Sequence, residues 1–128
     1  MRSWPRCARP PEPRDATRYP MPMSALICLS TCPDRAAAER IADALVEERL
    51  AACVNIVPGL TSVYRWQDQI RRDEELLLVI KTHSDRLDAL RQRIDELHPY
   101  ELPELIAVEA ADGLPAYLDW VRAETRPA

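Results

Sequence analysis

Two long strand-like runs, ACVNIVPGLTSVYRW (52–66) and IRRDEELLLVIKTH (70–83), follow one another with only the turn WQDQ (66–69) to join them. The first is rich in β-branched and aromatic residues, and the joint is short and polar, so the pair reads as an antiparallel hairpin. Each arm of about 14 residues reaches roughly 46 Å at about 3.3 Å per residue. A compact domain of about 105 residues is only about 33 Å across. The arms therefore overhang the body unless they bend. A bend is expected at Pro58–Gly59, where proline removes a ladder donor and glycine frees the backbone, giving a bulge near a sheet edge. The second arm ends apolar on both sides, with Leu76, Leu78 and Ile80 on one face and Leu77 and Val79 on the other. One face covers helices and the other needs a second cover. A two-stranded ribbon is marginal in water by itself. Association of copies through the hairpin is the expectation; the competing arrangement is a bent hairpin wrapped by the chain's own C-terminal helix.

The flanking segments supply the body. ALICLSTC (25–32) reads as a buried strand. TCPD then opens a helix, with Thr31 as cap, Pro33 in the first turn and Asp34 closing a capping-box-like pair. The spacing of Ala37, Ile41, Ala44, Leu45 and Glu48 gives its stripe, and it should end near Arg49–Leu50. Ser84 is the expected cap of a second helix carrying Leu87, Leu90, Ile94 and Leu97, with His98 in its last turn and Pro99 as its stop. ELIAVEA (104–110) is a fourth strand. DGLPAYLDWVRAE (112–124) is a closing helix, with Pro115 in its first turn and Tyr117, Leu118, Trp120 and Val121 as its packing face; Trp120 is expected in the core. The order β-α-β-β-α-β plus a terminal helix predicts an α+β fold, the ferredoxin-like split βαβ sandwich on an antiparallel sheet.

Charge divides the chain. Residues 1–22 carry five arginines and two acids, about +3, and six of the twelve prolines; the remainder has 12 basic and 19 acidic residues, −7. The proline-rich start is read as a disordered tail or a mis-set start, and 23–128 as the folded domain. It has no apolar run of signal-peptide type, and no segment has the ~18 apolar residues of a membrane span. An acidic body argues against a nucleic-acid partner. Two glycines leave no phosphate-cradling loop. Cys7, Cys28, Cys32 and Cys53 form no C-x-x-C pair, which disfavours a zinc knuckle, and the cytoplasm is the expected compartment.

TCPD, ALVEERLAACVNIVPGLTSVYRW, LLLVIKT, ELHPYELPELIAV and DGLPAYLDW closely resemble the CutA divalent-cation tolerance family over about residues 25–122. The resemblance implies a ferredoxin-like subunit, a homotrimer joined through the long strands, a PII-like architecture, and a role in tolerance to copper and other divalent metals. It also implies, for some bacterial members, a copper site built from a first-strand cysteine and paired histidines before Pro-Tyr. Here those positions hold Ser30 and Leu97, so that only His98 is retained, with Cys32 displaced by two residues.

The candidate residues follow from HPYELPE (98–104). Imidazole and thiolate suit copper, and carboxylates suit harder ions, so His98 is the candidate metal ligand and Cys32 a second, more remote one. A structural role also fits, with His98 at a helix C-terminus and Pro99 and Pro103 stiffening the linker. Tyr64, Trp66, Lys81, His98, Tyr100, Glu101 and Glu104 are expected to line a cleft between subunits. No nucleophile is paired with these groups, so the chain is not read as an enzyme. The expected function is a homotrimeric protein of divalent-metal tolerance, with copper or another divalent cation weakly bound. The alternative is a PII-like sensor or scaffold whose cleft takes a small molecule, such as a small anion, or a partner segment.

Overall fold

The computed structural model describes residues 23–127, so the expected tail at 1–22 lies outside the described residues. The elements are β1 (Ala25–Cys32), α1 (Arg35–Glu47), β2 (Cys53–Trp66), β3 (Gln69–His83), α2 (Leu87–Leu97), β4 (Ile106–Glu109) and α3 (Pro115–Glu124). One four-stranded sheet runs in the order β2-β3-β1-β4, antiparallel at every pairing. This is the expected ferredoxin-like arrangement.

Strand alternation divides the sheet into two faces. Leu26, Cys28, Ser30 and Cys32 of β1 and Leu78, Ile80 and Thr82 of β3 are buried. The apolar members of this set pack with Ile41 and Leu45 of α1 and with Leu90 and Ile94 of α2 in one core. Each fully buried Ile or Leu contributes about 1.5–3 kcal/mol relative to exposure. On the other face, Leu77 and Val79 are half-buried, while Ile106 and Val108 of β4 are 55% and 52% exposed. The second face is therefore only partly covered. The terminal helix α3 packs against β3 and β1 through Val121. Trp120 is not core: it is 42% exposed and stacks at a tilt on Tyr117, 5.5 Å between ring centroids. The helix has a single buried stripe, which Val121 fills, leaving the larger rings outside.

Two helix starts differ from expectation. Asp34, not Thr31, caps α1, its carboxylate accepting from the Ala37 N–H at 2.8 Å. Thr31 is still in the ladder, opposite Leu77. Ser84 does not cap α2; it opens a 3₁₀ turn (Ser84–Arg86) ahead of the helix, and its hydroxyl accepts from the Ser24 N–H at 2.9 Å. The helix α1 closes through Arg49 at φ 59°, with the Leu50 N–H donating to the Leu45 carbonyl at 2.9 Å.

The bulge at Pro58–Gly59 forms as expected. Val57 faces Leu77 but Leu60 faces Glu75, so β2 advances three residues against two on β3, and Gly59 takes φ 84°. Beyond it the arms run on to a two-residue turn at Gln67 and Asp68, both at positive φ. Residues 69–74 are all exposed.

Candidate functional site

One extra residue in a strand reverses which side its alternate residues face. Before the bulge, Val54 and Ile56 of β2 share the helix-covered face with Leu78 and Ile80 of β3. After it, Ser62 is opposite Asp73 and Tyr64 opposite Arg71. The even-numbered residues of β2 thus pass to the face that carries Asp73 and Glu75. The bulge is what brings Tyr64 and Trp66 to the same wall as these two acids.

The opposing wall comes from the linker after α2. The strand β1 ends at Cys32 opposite Leu76, so Glu75 is the first residue of β3 past its neighbour. Tyr100 reaches into that place and donates its hydroxyl to Glu75 Oε2 at 2.7 Å. Between hairpin and linker lies a cavity of about 590 Å³. Tyr64, Trp66, Arg65, Arg71, Asp73 and Glu75 line it from the hairpin, and Tyr100, Glu101, Leu102 and Glu104 from the linker.

Its electrostatics are dominated by acid. Burial first, and then the charge of Glu75, raise the Glu104 carboxyl above its ordinary value. Burial, followed by the bond to Glu75, holds the Tyr100 phenol well above the usual range. Tyr64 is likewise raised, chiefly by its hydrogen bond to Asp73. The phenols are thus held as donors, each to one carboxylate.

His98 stands behind this wall, 7% exposed, its ring 4.8 Å from that of Tyr100. Its backbone has left the helix and is extended, because Pro99 follows. The Tyr100 backbone N–H donates to Nδ1 at 3.1 Å, so Nδ1 is an acceptor. Nε2 then carries the proton and donates to the Thr31 carbonyl at 2.7 Å. The imidazole thereby ties the linker to the end of β1. Cys32 Sγ lies 3.9 Å from Nε2. Its thiol is fully buried and pushed up to about 11, first by burial and then by Glu75 and Asp34, against Arg40. A metal ion at His98 would displace one of its two hydrogen bonds, and at Cys32 it would have to ionise a buried thiol. Among the described residues no group of three His, Cys, Asp or Glu side chains could hold a metal ion.

Of the residues expected in a cleft between subunits, this cavity within one chain brings together Tyr64, Trp66, Tyr100, Glu101 and Glu104. Lys81 is not with them. It lies six residues up β3 from Glu75, about 20 Å at strand rise, where Nζ donates to Asn55 Oδ1 at 2.5 Å. Asp73 and Glu75 are cleft residues that sequence reasoning missed. They sit in RRDEE, which reads as a solvated arm; alternation puts them on the Leu77 and Val79 face of β3, and the bulge in β2 turns Tyr64 and Trp66 to that same face.

Comparisons with known proteins give the family and the fold. The family described as CutA1 divalent ion tolerance protein matches residues 26–124. A divalent-cation tolerance protein CutA of Thermus thermophilus is 54% identical over 99 residues, covering 77% of this chain and 96% of that one. A protein CutA of Mus musculus is 44% identical over 115 residues, 90% of this chain but 64% of its own length. The solved structure of a divalent cation tolerance protein (Cut A1) from Thermus thermophilus superposes with a TM-score of 0.78 at 52% identity, covering 80% of this chain and 99% of that one. A match that spans both strands of the hairpin, the linker and α3 covers the fold and the cleft together, and the chain belongs to the CutA1 divalent ion tolerance protein family.

Proposed function

We propose that this protein acts in the cell's response to divalent metal ions, copper among them, as a homotrimer that binds the ions weakly and carries out no reaction of its own. The observation that carries this reading is the family match over residues 26–124. The trimer is supported by the hairpin, whose distal arm is exposed over residues 69–74, and by the half-covered second face with Ile106 and Val108. Weak rather than tight binding follows from His98, whose ring nitrogens are both engaged within the chain. The cytoplasm is the compartment we propose.

Two measurements test this. Sedimentation at micromolar concentration should give three times the 14.6 kDa of the chain; a lone folded particle of chain mass rejects the trimer. Calorimetric titration with Cu(II) and Zn(II) should give weak heats that are unchanged in His98→Ala. Tight, stoichiometric binding lost in that variant would instead make His98 a ligand.

The second reading, a sensor whose cleft takes a small molecule, is favoured by one observation. A cavity of about 590 Å³ with aromatic and charged walls is of the size that small ligands occupy.

A further inference from the structure

We draw no further inference here: the strongest candidate, the partly covered second face of the sheet where Ile27, Ile106 and Val108 are exposed, belongs to the surface already given to the association of copies, and nothing in the structure shows what else covers it.

Discussion

The Tyr100 hydroxyl donates to Glu75 Oε2 at 2.7 Å, fastening the linker after α2 to the point where the hairpin leaves the body. Glu75 is buried, and that hydroxyl is a hydrogen-bond donor to its carboxylate. Tyr100→Phe keeps the ring against His98 and removes only the hydroxyl. Leaving a buried carboxylate without its partner costs about 1–3 kcal/mol. Urea denaturation at pH 7 should show a loss of that size, and Glu75→Gln, whose amide oxygen still accepts, should cost less. Equal stability of Tyr100→Phe and wild type would mean that water replaces the phenol.

Gly59 sets the bulge at φ 84°, a region that costs other residues about 1–2 kcal/mol. A Cβ added there meets nothing within 4 Å, so Gly59→Ala isolates backbone strain from crowding. We expect a destabilisation of about 1 kcal/mol with the fold retained, read by the midpoint of chemical unfolding. No change would show that the bulge relaxes to a negative φ at little cost.

Much of this architecture is legible in the residues themselves. The hairpin, its bulge at Pro58–Gly59, the β-α-β-β-α-β order and the stripes of α1 and α2 follow from periodicity and punctuation, which are local. The helix starts are less so. Asp34 and Thr31 are both good caps, and the choice depends on how far β1 continues pairing with β3, a tertiary matter. The cleft is half legible. Tyr100, Glu101 and Glu104 follow from their segment, but the meeting of Tyr64 and Trp66 with Asp73 and Glu75 depends on the register past the bulge. A one-residue bulge reverses the facing of everything after it on one arm alone. Lys81 stands on β3 itself, but strand rise carries it about 20 Å from Glu75 within one chain.

Burial makes definite claims about the thiols. Cys28 and Cys32 are fully buried and each is pushed up to about 11, chiefly by loss of water. At pH 8 only about one in a thousand would be thiolate, the form that reacts. Peptide mapping after brief iodoacetamide treatment at pH 8 should find both unmodified in the native protein and modified in urea. Native Cys32 alkylated as fast as in the unfolded chain would show that the end of β1 opens readily, and would return Cys32 to consideration as a metal ligand.

The C-terminal end of α3 is held by charge, and its pH response has a definite sign. Arg126 grips Asp85 through both guanidinium nitrogens, with Nη2 2.6 Å from Oδ1, and His83 Nδ1 lies 3.0 Å from the same oxygen. The hydrogen bonds from Arg126, with a smaller share from His83, lower the Asp85 carboxyl from 3.8 to about 2. A carboxyl depressed in the folded state stabilises the protein above its unfolded value and loses that contribution as the pH falls through the folded one. The pair lies near the surface, so screening by water limits it to about 1 kcal/mol. Arg126→Ala should therefore be less stable than wild type by about that amount from pH 7 down to about pH 4. Between about pH 4 and 2 the two should converge, as Asp85 takes up a proton in both. Urea midpoints measured at intervals across this range decide the matter. A difference that stays constant down to pH 2 would assign the effect to packing of the Arg126 stem rather than to its charge.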